Sequence, residues 1–98
     1  MTRAIAKLGA DLSLARRRRH ISQASMAQRT GASISTIRRM EQGDGRVPLR
    51  FYAGALYVLG ALPAFEEVLD TGNDAIGLAL MDQRVPQRIR QSKAKVAW

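Results

Sequence analysis

Residues 22–43 read SQASMAQRTGASISTIRRMEQG, and the spacing inside that stretch decides the fold. Ser22 is suited to cap a helix over 23–30, because its hydroxyl can accept an otherwise orphaned amide of the first turn. Gly31 ends that helix, since glycine takes the left-handed conformation after a helix at no steric cost. Ser33 repeats the capping signal and opens a further helix over about 34–42. Two helices that cross steeply through a tight turn need a small residue where their backbones approach, and Ala27 supplies it. Ile37 and Met40 can then seat the second helix against the first. Ser33, Ile34, Ser35, Arg38 and Arg39 are left facing outward, where helix side chains can reach base edges. The expectation is a helix-turn-helix from about Gln23 to Met40 that enters a major groove of duplex DNA. A plain helical hairpin could carry the same spacing.

Working outward, Ile5, Leu8, Leu12 and Ala15 recur at three and four residues and put one apolar face on a first helix over 4–19. Its far end carries the run Arg16–Arg19, and His20 follows at the helix end, where it can interact with exposed carbonyls. Beyond the loop glycines, Pro48 opens a fourth helix over 48–59, with Leu49, Tyr52, Ala53, Leu56 and Leu59 as its apolar set. Pro63 starts a fifth, about 63–69, with Phe65, Val68 and Leu69. Alternating runs and Asn-Gly turns are absent, so strands are not expected. Residues 1–70 therefore read as an all-α, five-helix DNA-binding domain. Residues 71–98 read as a C-terminal extension for partner or dimer contacts: a short helix capped by Asn73 and containing Ile76, Leu78, Ala79, Leu80 and Met81, a break at Arg84-Val85-Pro86, and a basic, mobile tail.

Charge supports the same reading. The 98 residues carry 16 Lys and Arg against 8 Asp and Glu, a net of +8, and such a balance favours polyanions. The distribution is uneven. Residues 1–50 hold eleven basic and three acidic side chains, 51–82 hold five acids and no Lys or Arg, and 83–98 hold five basic residues and no acid. The first half suits DNA, whereas the acidic middle suits something else, either solvent or a basic partner protein. There is no cysteine and a single histidine, which leaves no material for a disulfide, a Cys-based zinc site or a His-rich metal centre. Glu66, Glu67, Asp70 and Asp74 lack a partner histidine and read as a solvated acidic face. No apolar run approaches membrane-spanning length, and the N-terminus lacks a secretory h-region, so a cytoplasmic protein without cofactor is expected.

The stretch from Leu8 to Leu49, LGADLSLARRRRHISQASMAQRTGASISTIRRMEQGDGRVPL, resembles the Cro/repressor-type (XRE) helix-turn-helix domain, with the resemblance reaching over roughly residues 8–62. It implies a lambda-repressor-like fold. It also implies that Gln23 contacts the DNA backbone, that Ile34, Ser35 and Arg39 face base edges, that Gln42 binds phosphate, and that Arg16 pairs with Glu41. Ile34 departs from the polar reader common at its position; it either touches a thymine methyl or is silent. Ser33 joins the base-facing set, and Thr36, Arg38, Arg46 and Arg50 are candidate backbone contacts. The tail DTGNDAIGLALMDQRVPQRIR is similar, over about 20 residues, to the C-terminal part of HipB-like antitoxins. That similarity implies a homodimeric autorepressor of a toxin-antitoxin operon, partnered by a HipA-like kinase.

Several readings stay open on the residues alone. Arg39 offers a bidentate fork to guanine O6 and N7, or a phosphate contact without sequence information. Four consecutive arginines face all sides of a helix, so Arg16–Arg19 cannot share one purpose. An Arg16–Glu41 pair would confer specificity more than net stability. Phe51, Tyr52, Tyr57, Leu62 and Phe65 read as core or as a dimer seam. The competing functions are a stand-alone repressor, a non-specific DNA-coating protein and a small nuclease. The last lacks a carboxylate cluster in the DNA-facing half, so the chain is not expected to be an enzyme.

Overall fold

The computed structural model describes residues 1–80. Within them the chain is helical: α1 (Thr2–Arg18), α2 (Gln23–Thr30), α3 (Ile34–Glu41), α4 (Leu49–Val58), α5 (Leu62–Glu66), a 3-10 turn (Thr71–Asn73) and α6 (Ala75–Ala79). No strand occurs among the described residues. Contacts divide the chain after Glu67, leaving α1–α5 in the first unit and the 3-10 turn and α6 in the second.

The local signals behave as their chemistry requires. Ser22 Oγ accepts the Ser25 amide at 3.0 Å and Ser33 Oγ accepts the Thr36 amide at 3.0 Å, so both capping serines act as caps. Gly31 adopts φ 75° after α2, and the Ala32 amide returns to the Ala27 carbonyl at 3.1 Å. The end of α1 uses the same closure without a glycine. His20 takes φ 56°, its amide donates to the Arg17 carbonyl at 3.0 Å, and the Ile21 amide donates to Arg16 at 3.1 Å. His20 thus serves the exposed carbonyls through its backbone.

Leu12, Met26, Ala27, Ile37, Met40, Val47, Tyr52, Ala55 and Leu59 form one buried cluster, with Leu8, Ala15, Ile21, Phe51, Leu56 and Val58 partly buried around it. Ile37 and Met40 are its most enclosed side chains, each 1% exposed. Ala27, Ile37 and Met40 therefore do the packing expected of them. One close approach carried no signal in the apolar pattern. A Cβ on Gly9 would collide with the Met40 carbonyl and lie 2.9 Å from the Glu41 carbonyl, so α1 meets the C-terminal end of α3 through bare backbone.

Three expectations are corrected. Leu49 does not join the core face of α4 but is 63% exposed, because the core-facing positions are Tyr52, Ala55 and Leu59, about a quarter turn round the helix. The fifth helix ends at Glu66 instead of 69. Val68 and Leu69 are exposed, and a single turn with no buried face does not propagate. In the second unit Asn73 lies in the 3-10 turn, and Asp74 caps α6, its Oδ1 accepting the Gly77 amide at 2.8 Å. Ile76, Leu78 and Leu80 are exposed there. Met81, the break at Arg84–Pro86 and the basic tail lie outside the described residues.

Candidate nucleic-acid interface

The second helix of the motif is α3, and its position is fixed from behind by an ion pair. Arg16 donates through Nε to Glu41 Oε2 at 2.6 Å and through Nη2 to Glu41 Oε1 at 3.0 Å, a bidentate fork. Its third nitrogen, Nη1, donates to the Ile21 carbonyl at 2.9 Å. Both charged side chains are only 10% exposed. Arg16 therefore ties the last residue of α3 to the loop between α1 and α2. Burial pushes the Glu41 carboxyl up, but the hydrogen bonds from Arg16 and Gln23 outweigh it and hold the group below its ordinary value. The bond to Glu41 raises Arg16 in turn. No buried side-chain nitrogen or oxygen is left without a partner among the described residues, so the pair is fully compensated.

Gln23 belongs to this network. Its Nε2 donates to Glu41 Oε1 at 3.1 Å, and its Oε1 accepts from Arg38 Nε at 3.4 Å, a long bond. Arg16, Glu41, Gln23 and Arg38 therefore form one chain of contacts across α1, α2 and α3. The amide nitrogen of Gln23 carries two protons and only one is needed for Glu41. The other is available at the start of α2, in a side chain already immobilised by its neighbour.

The outward face of α3 is exposed at Ser33, Ile34, Ser35, Arg38 and Arg39. Ser33 is committed as the cap, and its Oγ also lies 2.9 Å from Thr36 Oγ1. Thr36 is half-buried and shares that contact. Ile34 is 39% exposed. Ser35 and Arg39 are four residues apart and therefore share a face. The Arg39 guanidinium is neither hydrogen-bonded nor ion-paired among the described residues, and its charge helps to lower the Asp44 carboxyl.

The loop from Gln42 to Pro48 is pinned at two points. Tyr52 Oη donates to the Asp44 carbonyl at 2.9 Å. The Asp44 carboxylate accepts the Arg46 amide at 2.9 Å and the Arg46 guanidinium at 3.0 and 3.1 Å. The side-chain and backbone bonds from Arg46 lower the Asp44 carboxyl to about 2. Arg46 is 87% exposed, and solvent screens such a surface pair, so it can exchange Asp44 for another anion at little cost. Arg50 lies over the Phe51 ring at 4.6 Å. Gln42 is exposed at the end of α3. Sequence reasoning missed the Asp44 and Tyr52 contacts. Asp two residues before Arg is a local turn signal that could have revealed the first; nothing in the spacing pointed to the second.

Among the described residues, no group of His, Asp or Glu side chains is placed to hold a metal ion. No helix among the described residues is long and apolar enough to cross a membrane. No curated protein and no solved structure matches the chain. A family model described as a helix-turn-helix domain matches residues 7–68, more than half of the chain and the whole of the α1–α5 scaffold but for its first five residues. An α3 anchored from behind and open in front is what a DNA-binding domain of that kind requires, and the chain belongs to the helix-turn-helix domain family.

Proposed function

We propose that the protein is a sequence-specific transcription regulator of the Cro/repressor type, binding an inverted-repeat operator as a homodimer and carrying no catalytic activity. One observation supports this above the others. The Arg39 guanidinium stands on the open face of α3 without a hydrogen-bond partner among the described residues, while Arg16 behind it and Arg38 beside it are engaged. Arg39, with Ser35 on the same face, is assigned to base edges, and Ile34 to an apolar contact such as a thymine methyl. Beyond its cap and its contact with Thr36 Oγ1, Ser33 keeps one polar valence, its proton or a lone pair, and is assigned a weaker base contact. Gln23, Thr36, Arg38, Gln42, Arg46 and Arg50 are assigned to the DNA backbone, where they set register without reading sequence. Arg16 and Glu41 hold α3 in place. Footprinting on the DNA upstream of its own gene tests the proposal. Two protected half-sites centred one helical turn, or a multiple of it, apart are expected; uniform coating of the fragment would refute it.

Within that reading we assign the protein to the antitoxins of toxin-antitoxin operons, acting in the cytoplasm. The similarity of residues 70–90 to HipB-like antitoxins supports this, as does the change of charge sign after Arg50. Ile76 and Leu80, exposed in the second unit, offer apolar anchors for a kinase-like toxin. Co-expression with the neighbouring gene and purification in mild salt is the check. A co-purifying toxin is expected, and its absence would leave a stand-alone repressor.

A further inference from the structure

Helix α4 has a second apolar face. Leu49, Ala53 and Tyr57 recur every four residues and lie on the side turned away from Tyr52, Ala55 and Leu59. Leu49 is 63% and Tyr57 71% exposed, and Ala53 between them is half-buried. The stripe runs about 12 Å along the helix. From Ala53 on it lies in a run without charge: no Asp, Glu, Lys or Arg occurs from Phe51 through Phe65, and Arg50 precedes that run. Elsewhere the first unit is basic, with Arg3, Lys7, Arg17 and Arg18 on α1 and Arg38 and Arg39 on α3 all exposed. Two copies meeting through α1 or α3 would bring like charges together. Through α4 they would not, although Arg50, drawn over its own Phe51 ring, flanks the edge.

We propose that the Leu49–Ala53–Tyr57 stripe is the seam between two copies of this chain. The stripe is self-complementary. About a two-fold axis, antiparallel α4 helices place Ala53 on Ala53, where the small side chain permits close approach, and Leu49 of each copy against Tyr57 of the other. This is the reciprocal pairing an isologous interface requires. An uncharged face has no sign with which to select an oppositely charged partner, which argues for a second copy over an acidic or basic protein. The stripe is smaller than a stable interface of about 1,200 Å² or more, so the dimer is weak free in solution and reinforced where both subunits hold one DNA. Only seven residues, 42–48, separate α3 from α4, so the seam sets the distance between the two reading helices. This last step rests on the proposed DNA-binding function; the seam itself does not.

The full chain contains no cysteine, so a single introduced thiol reports one contact. Ala53→Cys is expected to form a disulfide dimer under mild oxidation on the order of tenfold faster than Ala10→Cys, a control on the exposed face of α1, because neighbours in a complex see millimolar effective concentrations. Adding Tyr57→Glu to Ala53→Cys is expected to abolish that advantage while leaving the circular dichroism spectrum and melting temperature of the chain unchanged. Equal rates for Ala53→Cys and Ala10→Cys, or a fast reaction that survives Tyr57→Glu, would overturn the seam. Fast Ala53→Cys crosslinking in a chain that binds no DNA would uphold the seam and refute the function. Operator binding by two subunits without crosslinking would do the reverse.

Discussion

Glu41 is held by three donor nitrogens, two on Arg16 and one on Gln23, at 2.6–3.1 Å. Removing the carboxylate leaves Arg16 charged, shielded and unmatched, whereas removing both charges together leaves only two neutral groups, the Ile21 carbonyl and the Gln23 amide, to find new partners. Glu41→Ala should therefore lower stability by about 3 kcal/mol, and the double change Arg16→Met with Glu41→Leu should cost far less, about 1 kcal/mol or below. Urea titration of the three proteins checks both. The pair also sets an acid limit. A carboxylate whose folded value lies below its unfolded value contributes fully above about pH 4.5 and loses that contribution as pH falls through the folded value. Stability should decline below that point in the wild type, and Glu41→Ala should show a shallower decline. The sequence showed the pair only through resemblance, because residues 25 positions apart have no periodicity to link them. Its anchor on the Ile21 carbonyl was not visible at all.

At the scale of elements, the sequence was most readable where a local rule decides the outcome. Ser22, Gly31 and Ser33 gave α2 and α3 their ends because caps and left-handed turns act within four residues. Leu49 was misplaced because leucine spacing alone does not say which of two faces of α4 is buried, and helix five was overlong because its apolar residues find no core. Gly9 shows the opposite failure: a glycine within a helical pattern looks like a weakness in α1, yet it is where α1 touches α3. Gly9→Ala tests this with competing signs. Helix propensity alone would stabilise by up to about 1 kcal/mol, but the new methyl meets carbonyl oxygens that cannot move without shifting α3, and overpacking costs about 1–3 kcal/mol or more. A net loss of about 2 kcal/mol is expected in thermal melting. A gain would show that the helices are not in backbone contact.

For the whole molecule, the candidate site was legible as a set of positions and not as a network. Ile34, Ser35 and Arg39 lie outward as spacing required, while Gln23 and Arg46, expected only as candidate DNA-backbone contacts, are bonded to Glu41 and Asp44. Those partnerships arise from the folded surface and leave no trace in composition. In the proposed complex, Gln23 would meet DNA with its side chain already held by Glu41, which lowers the entropy cost of binding. In the proposed function α3 reads sequence through Arg39. Binding of the wild type and of Arg39→Ala to the footprinted operator, and to variants of each base pair, at one fixed salt concentration tests it directly. Arg39→Ala should lose about 1–3 kcal/mol on the operator and lose discrimination at one base position per half-site, with the other positions unaffected. Unchanged affinity and unchanged preference at every position would contradict the account.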